Sequence, residues 1–438
     1  MKWEPKDYQI EALTWLLQRP HAGLFLDMGL GKTSICLAAI SELRRRGLVK
    51  KTLVIAPMRV CYSVWPAERD KWDDFDHLTV TNWHKYPGAA PGDITVVNPE
   101  RVAGLAASLS LRQFDHIIFD ESSLWKAHDS KRFKAMKSEI GRIGRRWILT
   151  GTPAPNSLMD VWAQIYLLDL GASLGRFITH FRNAFCKLDF TGFNWSLVPG
   201  ATDEIYSRIK PLVLRMDAKD HLDMPDLIVN PVVVDLPPAA RETYDQFERD
   251  FFTVINEQDI EAPTAAVLGM RLRQIANGGI YSSAGAEVVH DEKVSALKEL
   301  VDTLGKPLLC FYEFKHDVER IRPAFKDEII NLSDCKDPDK VIADFNAGKI
   351  KLLMAHAGSA GYGNNLQGSC SNIAFFGLPW SLGNYLQAIA RVWRQGQQSA
   401  VVTIHHIIAR HTRDERVSAA LAVKDATQSA LMKALAAK

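Results

Sequence analysis

Paired cysteines, long apolar runs and an excess of one charge are all missing from this sequence of 438 residues. The six cysteines (Cys36, Cys61, Cys186, Cys310, Cys335 and Cys370) stand far apart, with no CxxC among them. That spacing argues against a zinc cluster or a disulfide scaffold and leaves plain thiols. No uninterrupted apolar run approaches the roughly 18 residues that a membrane-spanning helix needs. The start, Met1-Lys2-Trp3-Glu4-Pro5-Lys6-Asp7, has no basic stretch leading into an apolar one, so no signal peptide is expected. A formal net charge of +2 gives no general pull on phosphate backbones. Any grip on nucleic acid must come from a local track of donors. Low-complexity tracts are absent as well. The expectation is a folded, soluble, intracellular protein of two or three domains.

What is present is an alternation of short β-branched runs with longer helical patterns, as in the βαβ units of a parallel sheet. Gly23–Leu26, Thr52–Ala56, Ile94–Val97, His116–Phe119 and Trp147–Leu149 read as buried strands, with Thr33–Arg46 as a helix. A second series follows in Leu308–Phe311, Ile329–Leu332, Lys351–Ala355, Ser371–Phe376 and Val401–His405, with helices at Lys293–Leu304 and Pro338–Asn346. The fold class expected is α/β: two tandem RecA-like, doubly wound parallel-sheet lobes, residues 1–228 and 229–438, with a nucleotide cleft between them. Asp223-Met224-Pro225-Asp226 and Asp235-Leu236-Pro237-Pro238 are proline turns that suit the junction.

Leu26-Asp27-Met28-Gly29-Leu30-Gly31-Lys32-Thr33 leaves a strand and opens a helix. Gly29 and Gly31 let backbone N–H groups turn toward phosphate oxygens, and the helix N-terminus adds positive potential. Lys32 can reach the outer phosphates, and the Thr33 hydroxyl can ligate Mg²⁺. The strict GxxxxGK[ST] pattern fails at its first position, where Leu26 stands. Downstream, Asp120-Glu121 ends the apolar strand Ile117-Ile118-Phe119. Asp120 suits a role in holding Mg²⁺ through water, and Glu121 suits one in activating the attacking water. Arg391 and Arg394, three apart in an expected helix, could point together at a γ-phosphate. Other conspicuous groups read plainly: Arg44-Arg45-Arg46 with Lys50-Lys51 as a solvated helix end, and His405-His406 as strand residues without a metal partner. The tryptophans read mostly as packing residues, with Trp380 and Trp393 able to touch nucleic acid.

In order along the chain, these segments resemble the Swi/Snf-type ATPases of helicase superfamily two. Asp7-Tyr8-Gln9 is similar to the family's opening segment, which implies that Gln9 recognises adenine. The string Met28-Gly29-Leu30-Gly31-Lys32-Thr33 resembles its phosphate loop. Leu53-Val54-Ile55-Ala56-Pro57, with Trp65, Glu68 and Trp72, resembles the next motif, and Leu149-Thr150-Gly151-Thr152-Pro153 the third. Ile209–Arg215 is similar to the end-of-lobe segment, and Gly361-Tyr362-Gly363-Asn364-Asn365-Leu366 to the motif coupling nucleic acid to ATP. Pro379-Trp380 and Gln387-Ala388-Ile389-Ala390-Arg391-Val392-Trp393-Arg394-Gln395-Gly396-Gln397 resemble the last motif, which puts Gln387 among the nucleotide-binding residues. The chain departs from the family at Ser122-Ser123, where it has Ala-His, at Ala390, where an Asp is common, and at Gly358, where a Lys is frequent.

The resemblance implies a nucleic-acid-dependent ATPase that uses ATP and Mg²⁺ and translocates on DNA, duplex DNA being favoured, with little sequence preference. Its backbone contacts would lie near Pro57-Met58-Arg59, Asn98-Pro99-Glu100 and His356–Ser359. A strand-separating helicase and an ATP-binding switch with negligible hydrolysis are the alternatives. A monomer is favoured, and replication, recombination or repair proteins are possible partners. The compact chain, without appended modules, suits the cytoplasm of a bacterium or of a phage-infected cell.

Overall fold

In the computed structural model, residues 1–58, 60–83, 90–104, 111–188, 195–256, 262–282, 285–360 and 365–436 are described. Arg59 and Gly361–Asn364, both singled out in the sequence, lie outside them. The chain divides into two compact units: Met1–Leu222 with Lys424–Lys438, and Asp223–Val423. The division thus falls at the start of the first proline turn, a little before residue 228.

Unit 1 is built on seven strands: β1 (His21–Leu26), β2 (Thr52–Ile55), β3 (Val80–Asn82), β4 (Ile94–Val97), β5 (His116–Asp120), β6 (Arg145–Thr150) and β9 (Val213–Met216). All pair in parallel, in the order β3-β4-β2-β5-β6-β1-β9. β7 (Cys186–Leu188) and β8 (Trp195–Leu197) form a separate antiparallel pair. Parallel neighbours need crossovers that cover both faces with helices, so the central strands are apolar without alternation. Leu24, Phe25 and Leu26 of β1, Leu53, Val54 and Ile55 of β2, and Ile117, Ile118 and Phe119 of β5 have no exposed surface. Trp65, Trp125, Trp147 and Trp162 are buried in the same unit.

Unit 2 carries β10 (Asp226–Val234), the antiparallel pair β11 (Gly279–Ser282) and β12 (Gly285–Val288), then β13 (Leu308–Tyr312), β14 (Ile329–Asn331), β15 (Leu352–His356), β16 (Asn372–Phe375) and β17 (Val401–Ala409). Its six-stranded sheet runs β10-β17-β16-β13-β15-β14, again all parallel. β10 joins the two proline turns that the sequence marked and was not expected. It is an edge strand, mostly solvent-facing, and it holds Pro231. A proline there costs no ladder hydrogen bond, which is why the pattern did not read as a strand. The five strands expected in this half are present within a few residues of their expected ends.

The order of the unit 1 sheet does the positioning. β5, β6 and β1 are consecutive neighbours with Asp120 opposite Leu149 and Phe25 opposite Thr150. Their carboxyl ends therefore open side by side, where parallel α/β sheets hold their ligands.

Candidate active site

The loop leaving β1 turns through two glycines of positive φ, Gly29 at 87° and Gly31 at 76°, before the helix Lys32–Arg45 begins. A Cβ at Gly31 would also lie 2.6 Å from Gln9 Nε2, so any side chain there would have to move Gln9. Gln9, on the helix Asp7–Gln18, reaches Leu30 O with that nitrogen at 3.5 Å and accepts from Lys6 N through Oε1. The first helix thereby delivers Gln9 to the glycine loop. On the other side β9 pins the loop. Asp27 N donates to Met216 O, Asp27 Oδ2 accepts from Ala218 N at 3.0 Å, and buried Arg215 lies 3.7 Å from Asp27 while pairing with Asp217.

Lys32 folds its ammonium onto the end of β1, donating to Leu26 O at 2.8 Å and Asp27 O at 3.1 Å. Burial holds its pKa below the ordinary lysine value, and the carboxylates of Glu121, Asp120 and Asp27 work against that fall. Asp120 accepts from the indole N–H of Trp65 at 2.9 Å. Burial and neighbouring Glu121 push Asp120 up from 3.8 to about 6, with Trp65 and Lys32 opposing. The two shifts belong to one arrangement, a cation and two carboxylates sharing a partly dehydrated corner.

Glu121 adopts a left-handed backbone, φ 57° and ψ 60°, which costs a side-chain-bearing residue on the order of 1–2 kcal/mol. Its surroundings hold it there. Ser123 Oγ donates to Glu121 Oε1 at 2.7 Å, and Thr150 Oγ1 donates to the same oxygen at 3.1 Å while accepting from Thr152 N. Beside this, buried Ser122 donates to Gln164 Oε1 at 2.7 Å, and Gln164 Nε2 donates to Pro153 O at 2.6 Å. Of the two serines that stand in place of Ala-His, Ser122 thus links the segment after β5, through Gln164, to the one after β6, and Ser123 bonds within its own segment. Gly151 backs onto the glycine loop, its Cβ position 3.3 Å from Leu26 O. Sequence reasoning missed Gln164 and the orienting pair Ser123 and Thr150. The Leu149–Pro153 string was a signal for Thr150; nothing local marks Gln164.

In unit 2 the expected helix under the arginines stops early. It spans Leu382–Ile389, and Arg391 and Arg394 lie in the turn that follows. The cause is tertiary: Val392 is fully buried and Trp393 Nε1 donates to Pro225 O at 2.8 Å. Those anchors tighten the chain into i→i−3 bonds, Arg391 N to Ala388 O and Val392 N to Ile389 O. Trp393 is therefore turned inward, whereas Trp380 is 53% exposed. Gln387 is buried on the helix, and its carbonyl accepts from Arg391 Nε at 3.0 Å. Arg394 donates to Asn365 Oδ1, and Leu366 N donates to Arg391 O at 2.9 Å. The arginine turn and the described end of the Gly361–Leu366 string are thus one hydrogen-bonded piece. Half-buried Gln397 closes it, donating to Cys370 O and Val392 O. His405 and His406 have protein partners in Asn230, Asn372 and Tyr385, and Arg45 and Arg46 pair with Glu42 on their own helix.

Asp120 supplies a stability test. Its folded pKa, about 6, exceeds its usual 3.8. The cost of the buried charge is therefore absent below about pH 4, grows between 4 and 6, and is full above 6. Asp120→Asn should stabilise the protein by roughly 1–3 kcal/mol at pH 8 and by nothing at pH 4. Urea unfolding at the two pH values measures this; equal stability of both proteins at pH 8 contradicts it.

The model of the SNF2-related domain matches residues 8–279, and that of the helicase conserved C-terminal domain matches 292–396. Putative protein p41 of the Acyrthosiphon pisum secondary endosymbiont phage 1 is 35% identical, covering 99% of both chains. An uncharacterized ATP-dependent helicase of Mycoplasma pneumoniae is 25% identical over 94% of this chain, which spans only 40% of that protein's length. A solved Sulfolobus solfataricus SWI2/SNF2 ATPase core in complex with dsDNA is 24% identical, with a TM-score of 0.47, covering 99% of this chain and 95% of that one. With the first family model covering more than half of the chain and the second most of the remainder, the chain belongs to the SNF2-related family and is a helicase-like ATPase.

Proposed function

We propose that the chain is a motor that hydrolyses ATP on binding DNA and translocates along the duplex with little regard to sequence. The observation that carries this reading is the meeting, at three adjacent strand ends, of the glycine loop, Asp120-Glu121 and the Thr150–Pro153 segment. In this reading Gln9 meets the adenine edge, while the N–H groups around Gly29 and Gly31 and the Lys32 ammonium take the phosphates. Thr33 and Asp120 offer hydroxyl and carboxylate oxygens, the donor type that Mg²⁺ takes, and Asp120 is ionised at neutral pH. The ion's contribution when bound is to neutralise charge on the β- and γ-phosphates. Glu121, fixed by Ser123 and Thr150, aligns the water that attacks. Arg391 and Arg394 come to the γ-phosphate from unit 2, with Gln387 behind them on the preceding helix. Since phosphoryl transfer is governed by positioning and charge, hydrolysis then requires both units on one nucleotide.

Alternating ATP and ADP would shift the population between closed and open pairs of units, and a shared grip on the DNA backbone would convert this into steps. Backbone donors near Pro57-Met58, Asn98-Pro99 and His356-Ala357-Gly358 suit that grip, which reads no base edges. No helix among the described residues is long and apolar enough to cross a membrane, and work on DNA in a bacterial cytoplasm belongs to the same reading. Displacement of a third strand from a triplex tests it. ATP-dependent displacement without unwinding of a fork is expected, and binding and turnover should weaken steeply as salt rises. Fork unwinding would make the chain a strand-separating helicase, and no displacement with negligible turnover would make it a switch.

A further inference from the structure

Away from the ATP site, unit 1 gathers cations and aromatic rings on one face. The contributors are the helix Lys131–Glu139, the loop Gly171–Phe177, the helix Ile178–Phe185 and β8. Lys137 Nζ lies 4.6 Å from the ring centre of Tyr166 and 5.2 Å from that of Phe177, and reaches Arg176 O at 3.5 Å. The Arg176 guanidinium lies 5.9 Å from the Phe177 ring, and that of Arg182 lies 5.0 Å from the Trp195 ring. His180 meets Phe177 edge-on at 5.2 Å.

These cations are mutual neighbours. Burial comes first among the causes that lower Lys137, followed by Arg176; His128 likewise falls by burial, opposed by Asp129, with Arg182, Lys134 and Lys137 adding to the fall. Among the described residues no carboxylate pairs with Lys134, Arg176 or Arg182, and Arg182 Nε is buried without an acceptor. Of the acids at the margin, Glu139 pairs with Arg142, Glu204 pairs with Arg208, and Asp169 accepts from Gly171 N and Ser173 N, which leaves exposed Asp129, beside His128, as the one acid among the described residues acting on the cluster. Phe177 is 49% exposed despite the cations about its ring. A repulsive cation cluster beside an open aromatic face is costly without an anionic partner. Phosphates answer the charge, and unpaired bases answer the ring. An acidic peptide would satisfy only the cations, and a duplex hides its base faces.

We propose that this face is a second nucleic-acid contact that takes an unpaired strand, its phosphates on Lys134, Arg176 and Arg182 and a base stacked on Phe177. The inference rests on the chain's acting on nucleic acid and adds a surface outside its ATP site.

Binding of labelled oligothymidine by the full chain, read as fluorescence anisotropy across a salt series, tests it. Phe177→Ala should weaken binding on the order of 5- to 150-fold, the range for losing one stacked base. Arg176→Glu with Lys134→Glu should flatten the salt dependence, each lost phosphate contact removing about 0.7 from the slope. Duplex-stimulated ATP turnover should stay within about twofold in both variants. Lys32→Ala should lose turnover yet keep oligothymidine binding, which separates failure of the motor reading from failure of this one. Unchanged affinity in Phe177→Ala overturns the proposal. So does equal weakening of duplex binding by the charge reversals with no effect of Phe177→Ala. Competition by polyglutamate as effective as that by oligothymidine would assign the face to an acidic protein instead.

Discussion

Arg391→Ala and Arg394→Ala should each lower the DNA-stimulated rate of ATP hydrolysis by about 10³–10⁵-fold, while ATP still binds. An arginine supplied to a γ-phosphate from a second body stabilises charge that develops in the transition state, worth roughly 4–7 kcal/mol of barrier. In the proposed reading the ground-state contacts of the nucleotide come from unit 1, so its affinity should change little. The turn itself should survive, because Val392 in the core and the Trp393–Pro225 bond fix it independently of both arginines. Arg391 loses a bond to Gln387 O and Arg394 one to Asn365, each replaceable by water at a partly open surface. Lysine should not restore the rate, since a single ammonium cannot reproduce a planar fork of donors on phosphate oxygens. Phosphate release gives the rate and a fluorescent ATP analogue gives the affinity. A loss below tenfold would remove both residues from the chemistry.

Glu121→Gln should cut kcat by about 10²–10⁴-fold with KM nearly unchanged, as expected for losing a group that assists proton removal. The substitution keeps the size of the side chain and leaves an amide oxygen to accept from Ser123 and Thr150. The orientation is thus retained while the basicity is removed. The left-handed backbone at this residue stays equally strained in both proteins, so stability should move little. Lys32→Ala differs in kind, since in the proposed reading it also removes a ground-state contact to phosphate and should raise KM along with the fall in kcat. Steady-state kinetics on the two variants distinguishes the roles. Equal KM increases in both would mean that Glu121 acts through nucleotide binding rather than on water.

Much of the site was legible because its chemistry is local. Gly29, Gly31, Lys32 and Thr33 follow one another in sequence, and a loop of that composition has few other uses. Asp120-Glu121 announced itself by ending an apolar strand. The buried strands were legible for a related reason: strands covered on both faces carry continuous apolar runs. What escaped depends on partners distant in sequence. Ser122 bonds to Gln164, 42 residues away, and Trp393 to Pro225, 168 residues away. The second of those contacts, together with the burial of Val392, holds the chain after Ile389 as a turn that carries the arginines, although the spacing of the residues suits a helix. β10 escaped because an edge strand tolerates Pro231 and solvent-facing residues, which erases the apolar pattern. Arg215 was legible as part of a string, but its approach to Asp27 follows only once β9 lies beside β1.

The most direct measurement is ATP turnover by the intact chain without nucleic acid and with duplex DNA, repeated for Lys32→Ala and for Arg391→Ala combined with Arg394→Ala. Duplex DNA should raise the rate of the unaltered protein, and both variants should lose the stimulated rate alike, since the proposal is that one nucleotide takes residues from both units. A rate indifferent to every nucleic acid, or stimulated turnover that survives removal of both arginines, would contradict the account.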